Sequence, residues 1–250
     1  MSKVFLSVII PCFNEMANLQ KGVLDKVEHY LGKQSYNWEV IVVDDGSTDG
    51  SVEFIERFCQ EDKRFTLIKN SHSGKAGAVT AGMLAVTGEI RLFTDMDQAT
   101  PIEEVEKLLP FFKEGCDVVI GSRKERKGSP FIRRFISQSA AILRKTIVGL
   151  SEISDTQCGF KAFTGDASEK LFKKINDLHH GFSKISGSSV TSGFDVELLY
   201  LGKEMKYKIK EVPVDWLYVE TRRVNPITDS IQGVLDLLSI KKKQISGSYK

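Results

Sequence analysis

The chain has 250 residues, 41% hydrophobic and 27% charged, enough to bury a sizeable core in one large α/β domain or two small ones. A formal charge of +2 is too near neutral for a surface that binds nucleic acid throughout, so no nucleic-acid partner is expected and any electrostatic message is local. Cys12, Cys59, Cys116 and Cys158 form no C-x-x-C pair, which argues against a zinc knuckle or disulfide framework and for a reducing, cytoplasmic setting.

The first apolar stretch, in MSKVFLSVIIPCFNE, runs for about seven residues, shorter than a signal-peptide core, and no run approaches the ~20 apolar residues of a span. In chain order, β-branched runs then alternate with segments of helical period: VFLSVII and 17–31, WEVIVV and 50–60, FTLI and 75–86, IRLFT and 101–113, and DVVIG at 117–121. That alternation predicts a mostly parallel central sheet with helices on both faces, an α/β Rossmann-like class whose ligands sit beyond the carboxyl ends of the strands. The unusual residues stand there: Pro11 and Asn14 after the first strand, Asp44 and Asp45 after the second, Asp95 and Asp97 after the fourth. Beyond about residue 122 come a basic amphipathic segment, a short strand around CGFKAF, and the Gly/Ser-rich HHGFSKISGSSVTSG. A helical FDVELLYLGKEM, a strand in YKIKEVPVDW and a last helix from about 227 follow. With no repeat and no convincing linker, residues 1–250 read as one domain.

Asp95-Met96-Asp97 admits two readings. One is a cap before Pro101 with solvated carboxylates; the other is a D-x-D pair converging on a hard divalent ion that also takes phosphate oxygens. In DDGSTDG, Gly46 permits a turn, and Ser47, Thr48 or Asp49 can cap the next helix. The adjacent carboxylates of Asp44 and Asp45 need a compensating donor, which a ribose hydroxyl, a base N–H or a metal would provide. NSHSGKAGAVTAG is not a P-loop, since Ala76 follows Lys75 where Ser or Thr is needed. A lysine at a glycine-rich helix start is still an anion site, or simply a helix packed on the sheet.

VIIPCFNE, VIVVDDGSTDGS, GKAGAVTAG and LFTDMDQATP occur in the order and approximate spacing of the inverting GT-A glycosyltransferases of family 2. DMDQATP, GSR, DTQCGFKAF, GFDVELLYL and EVPVDW are most similar to the dolichyl-phosphate β-glucosyltransferases, with the dolichyl-phosphate mannose synthases further away. The resemblance spans about residues 3 to 240. It implies that Pro11, Asn14, Glu15, Asp44 and Asp45 hold base and ribose, that Lys75 approaches the diphosphate, and that Asp95, Met96 and Asp97 manage the donor with Mg²⁺ or Mn²⁺. It further implies that Arg123, Asp155, Gln157 and Lys161 line the donor sugar or the acceptor phosphate. The chain departs from these relatives at Ser192-Gly193, where an aromatic residue is usual, and at LYVETRRVNP after Trp216. On this reading residues 1–121 form the nucleotide-sugar half and 122–250 the acceptor half.

A lipid phosphate is already anionic, so the site needs cations more than a base; Arg123, Lys161, Arg222 and Arg223 are assigned to that task. Asp195 orients the acceptor or caps its helix. Residues 122–150 carry a net +7 beside an apolar stripe of Phe131, Phe135, Ile142 and Thr146, flanked by Ile132, Ile136, Leu143 and Ile147. Ile227, Ile231, Val234, Leu235 and Leu238, followed by Lys241, Lys242 and Lys243, repeat the pattern. Both read as helices lying on a membrane surface, or as helices packed on the sheet. His179 and His180 diverge at adjacent positions, which predicts a mobile loop that closes over substrate and not a metal pair. The expected activity is inverting, metal-dependent transfer of a hexose, glucose from UDP-glucose, to a polyprenyl or dolichyl phosphate at the cytoplasmic membrane face, with a second copy or a membrane partner left open. GDP-mannose or UDP-N-acetylhexosamine as donor, a protein or sugar acceptor, and a silent nucleotide-sugar sensor are the rivals.

Overall fold

The computed structural model describes residues 3–123, 147–182, 192–217 and 226–249. The basic segment over 124–146, the Gly/Ser-rich stretch over 183–191, and Arg222 and Arg223 lie outside the described residues, as do the side chains of Ile227 and Ile231.

Seven strands, β1 (Leu6–Cys12), β2 (Trp38–Asp44), β3 (Phe65–Lys69), β4 (Ile90–Thr94), β5 (Val118–Ser122), β6 (Phe160–Thr164) and β7 (Ile209–Pro213), pair in the order β3-β2-β1-β4-β6-β5-β7. Six of them are parallel; β1, β2, β4 and β5 are apolar and buried nearly throughout, as central parallel strands covered on both faces are, while the edge strands β3 and β7 are partly exposed. The exception is β6, inserted antiparallel between β4 and β5, with Thr94 opposite Phe160 and Ile120 opposite Lys161. Reversal matters for position. The chain entering β6, and not the chain leaving it, lies beside the carboxyl ends of β4 and β5.

Alternation along each strand divides the core in two. Leu6, Val8, Ile10, Val40, Val42 and Leu92 face one side, packing with α2 (Val23–Leu31), α3 (Ser51–Glu61) and α5 (Val105–Lys113). Ile9, Ile41, Val43, Phe93, Ile120 and Phe163 face the other, under α4 (Gly74–Ala85), α6 (Gly165–Leu178), α7 (Ser192–Glu204) and α8 (Pro226–Ile245). The helix expected over 17–31 is broken instead: α1 (Met16–Leu19) stops before Gly22, whose φ of 70° suits a residue without Cβ, and α2 then begins. Helix α6 went unread in the sequence. Its signal was Thr164, whose Oγ1 accepts from Ala167 N at 3.3 Å, and the buried Leu171, Phe172 and Ile175 one turn apart.

Helix α8 packs on α7 through Leu237 and Ile240, while Val234, Leu235 and Leu238 of the expected stripe are exposed at 38%, 53% and 51%. Gly193 makes that packing possible, because a Cβ there would lie 2.7 Å from the Asp236 side chain, and its N–H donates to Asp236 Oδ2 at 2.9 Å. The departure at Ser192-Gly193 is thereby explained by a close helix approach. A second tie is the buried Glu197 carboxylate, bonded to His179 Nε2 (2.6 Å), Lys243 Nζ (2.8 Å) and Tyr249 Oη (2.7 Å). His179 thus belongs to a helix-end network and not to a polar loop. Burial pushes the Glu197 pKa up, but the bonds from His179, Lys243 and Tyr249 outweigh it and hold it down to about 2.

A carboxylate with a depressed folded-state pKa stabilises the fold above the unfolded value near 4.5 and loses that contribution as pH falls towards 2. Glu197→Gln is therefore expected to lower unfolding free energy by about 3 kcal/mol at pH 6, with the gap to the parent closing below about pH 3, as read by denaturant titration at both pH values. A constant gap across that range would refute the assignment.

Candidate active site

The carboxyl ends of β1, β2 and β4 are neighbours, so the loops after Cys12, Asp44 and Thr94 share one edge of the sheet. The first two are laced together. Asn14, at φ 53°, donates its N–H to Ser47 Oγ (2.8 Å) and accepts Thr48 N–H on Oδ1 (2.8 Å); Glu15 N–H donates to Ser51 Oγ (3.1 Å), and Met16 N–H to Asp49 Oδ2 (3.0 Å). Ser47 and Thr48 therefore fasten the neighbouring loop and do not cap α3. Asp49 does serve that helix, accepting Ser51 N–H at 3.1 Å.

Asp44 and Asp45 are both 2% exposed, and their donors come from the chain itself. Asp44 accepts from Gly46 N–H (3.0 Å) and Ser47 N–H (3.2 Å), a turn of its own making. Asp45 crosses to α4, accepting Ser73 N–H and Gly74 N–H, each at 2.8 Å, and Asn70 Nδ2 at 3.1 Å, while His72 Nδ1 lies 3.0 Å from its other oxygen. The anion at this helix N-terminus is thus Asp45, and the donor sought in a ligand is already present. His72 also stacks on Phe13 with ring centroids 4.4 Å apart. Pro11, the next-to-last residue of β1, stands opposite Val43. Burial, then Asp44 and Glu15, push the Cys12 thiol up to about 12, which makes it unreactive.

Strand β4 ends at Thr94, so Asp95-Met96-Asp97 forms a turn. Met96 points into the core at 3% exposure, which separates the two carboxylates from the apolar interior. Asp97 Oδ1 accepts Ala99 N–H at 3.0 Å. Asp95 forms a short ion pair with Lys75 from the first turn of α4. Burial pulls the Lys75 pKa down, yet Asp95, Asp195 and Asp97 outweigh it and raise it above the ordinary lysine value. Asp95 also leans on the entry to β6. A Cβ at Gly159 would lie 2.0 Å from Asp95 Oδ2, so the glycine of DTQCGFKAF leaves the space that the carboxylate fills.

Arg123, just past β5, grips Asp155 through Nε (2.7 Å), Nη2 (2.8 Å) and its own N–H (3.0 Å), with its guanidinium carbon 5.9 Å from the Trp216 ring centroid. Burial lowers and Asp155 more strongly raises the Arg123 pKa, so it is a permanent cation at the rim. Gln157 is exposed. Lys161 was expected at a phosphate, but its side chain is fully buried: Nζ donates to Cys158 O and to Asp195 Oδ1, both at 2.5 Å. Asp195 lies in the first turn of α7. What results is one edge where Asp95, Asp97 and Asp195 face Lys75, with Arg123–Asp155 beyond β6. Two hard carboxylates in one turn suit a divalent ion that takes its remaining ligands from a diphosphate and water, whereas no group of three His, Cys, Asp or Glu side chains able to hold a metal by itself occurs among the described residues.

Comparison with known proteins agrees with this picture. The family described as Glycosyl transferase family 2 matches residues 7–181. The dolichyl-phosphate beta-glucosyltransferase of Saccharomyces cerevisiae is 32% identical, covering 99% of this chain and 77% of its own length; that of Homo sapiens is 31% identical, covering 98% and 77%. Among solved structures, glucosyl-3-phosphoglycerate synthase from Mycobacterium tuberculosis, in complex with Mn²⁺, UDP and glucosyl-3-phosphoglycerate, has TM-score 0.61 at 18% identity over 96% of this chain and 80% of that one. The mannosyltransferase PcManGT from Pyrobaculum calidifontis, with GDP-Man and Mn²⁺, also gives 0.61, at 20% identity over 98% and 65%. These likenesses identify the fold as the GT-A type.

Gly159→Ala adds one methyl group where Asp95 sits. It is expected to leave the circular-dichroism spectrum unchanged and to weaken Mn²⁺-dependent UDP binding about tenfold or more by calorimetry, since groups that orient a ligand carboxylate commonly matter by that much. Unaltered binding would show that Asp95 needs no such cradle.

Proposed function

Because the chain belongs to glycosyl transferase family 2 and is a glycosyltransferase, we propose that it transfers glucose from UDP-glucose, with inversion, to dolichyl phosphate or a similar polyprenyl phosphate. Supporting glucose and dolichyl phosphate are the named activities of the yeast and human relatives, which match nearly the whole chain. The observation that carries the chemistry is the Lys75–Asp95 pair beside Asp97, a cation and two carboxylates at the edge where β1, β2 and β4 end. Residues 1–121 then handle the donor and 122–250 the acceptor.

The acceptor oxygen is an anion at neutral pH, so no strong base is required. It attacks the anomeric carbon from the face opposite the diphosphate; one C–O bond forms, the bond to the departing UDP breaks, and its electron pair stays on the diphosphate. A bound Mg²⁺ or Mn²⁺, which Asp95 and Asp97 would hold, supplies positive charge to that leaving group. Lys75, already oriented by Asp95, adds a second charge on the diphosphate side. Arg123 keeps N–H donors beyond those given to Asp155 and presents them to the acceptor phosphate, with Gln157 beside it. Asp195 orients the acceptor. Asp44 and Asp45 shape the nucleoside site chiefly through Gly46 and His72, which their bonds hold in place, and through Ser47, which Asp44 holds and which in turn accepts the Asn14 N–H.

The lipid acceptor places the reaction at a membrane surface, proposed to be the cytoplasmic face. No helix among the described residues is long and apolar enough to cross a bilayer. Val234, Leu235 and Leu238 on the outer face of α8, with Lys242 exposed beyond them, supply an apolar patch beside positive charge, as a peripheral contact with anionic lipid needs.

Two outcomes test this. Purified protein given labelled UDP-glucose, Mg²⁺ or Mn²⁺ and a short polyprenyl phosphate should yield a labelled lipid, and Asp97→Asn should cut the rate by about 100-fold or more; label that stays in water-soluble products refutes the acceptor. In flotation with vesicles containing anionic lipid, Leu235→Asp with Leu238→Asp should reduce bound protein by about tenfold or more, because each leucine forfeits roughly 1.5–3 kcal/mol of burial. Undiminished flotation would place the membrane contact elsewhere.

A further inference from the structure

Lys161 is the one lysine among the described residues whose whole side chain is buried. It stands on β6 between Phe160 and Ala162 of one core face, on the side of the sheet that Phe93 and Phe163 share, with Nζ 5.3 Å from the Phe93 ring centroid. An ammonium there is costly unless it is paired and bonded. Its two acceptors are Cys158 O, one turn back along its own chain, and Asp195 Oδ1. Asp195 in turn acts on Lys75, whose charge it helps to hold, and Lys75 sits on Asp95. The charges therefore alternate from the core to the rim: Lys161, Asp195, Lys75, Asp95.

We propose that Lys161 is a positioning residue for hexosyl transfer, fixing the Asp195 carboxylate from inside the core at the place where the acceptor must be oriented. The proposal rests on the family 2 reading of the site. Lys161 itself touches no substrate, being fully enclosed, and its contribution passes through Asp195. Two observations support this over a purely structural role. A methionine of similar volume would fill the same cavity without the cost of burying a charge, so stability alone gives no reason for lysine. And α7 needs no anchor from Lys161, because Phe194, Val196, Leu198 and Leu199 already bury it in the core.

The test is a double-mutant cycle on the full chain with Lys161→Met, Asp195→Asn and the pair, assayed with UDP-glucose and polyprenyl phosphate. Lys161→Met is expected to lower kcat by about 100-fold, the scale of a misplaced catalytic-site group, while the donor KM stays within about threefold. In the Asp195→Asn background the same substitution should cost almost nothing, since there is no carboxylate left to position. Equal losses in both backgrounds, or a donor KM that rises in step with the fall in kcat, would overturn the proposal and leave Lys161 structural. If Lys161→Met fails to fold, the paired variant, which buries no lone charge, is compared with Asp195→Asn alone: any further drop in kcat counts against the proposal. A parent that makes no lipid product overturns the acceptor reading instead, and the cycle is then read in hydrolysis of the donor, with water as acceptor.

Discussion

Carboxylates gathered at the carboxyl edge of a parallel sheet repel one another, and the arrangement of this edge follows from how each is answered. Asp44 is met by backbone N–H groups of its own turn, Asp45 by the first N–H groups of α4, Asp97 by Ala99, Asp95 by Lys75, Asp155 by Arg123 and Asp195 by Lys161. In a region of reduced dielectric an unanswered carboxylate would be protonated or would unfold its loop. The donors come from elements far apart in sequence, so the same bonds that neutralise the edge also hold β2 to α4, α4 to β4, and β6 to α7.

The two kinds of answer have different chemical meaning. Asp44 and Asp45 are nearly inaccessible and are held mainly by backbone donors, Asp45 by Asn70 and His72 as well. Asp95 and Lys75 are partly exposed, at 40% and 29% of their side chains, and their partner is a flexible lysine. A pair with that exposure is held less firmly than the buried ones. The deepest member, Lys161, has no exposure and no freedom, which suits a group that fixes geometry.

The antiparallel strand β6 is the second determinant. In an all-parallel sheet the segment before a strand emerges at the far edge, away from ligands. Because β6 runs the other way, Asp155, Gln157 and Gly159, which precede it, arrive beside Asp95 and Arg123. This reversal joins the two halves of the chain at one site. It also explains the glycine before Phe160, which leaves room for a carboxylate from β4.

Much of the architecture was legible in the sequence. Apolar runs marked all seven strands and most helices, and the aspartates at strand ends marked the edge where the loops converge, because strand burial and ligand position both follow from local pattern. The sequence by itself also determined which charges are present and in what order. It did not determine their partners. That Asp45 caps α4, that Lys161 turns inward to Asp195, and that Gly159 yields space to Asp95 are pairings across 28, 34 and 64 positions of chain, created by sheet order and by one reversed strand. Local propensity carries no information about such contacts, since their energy arises only when distant segments meet and water is excluded between them. The residue types were settled by the sequence; which of them hold the site and which are free to meet a ligand was decided by the tertiary structure.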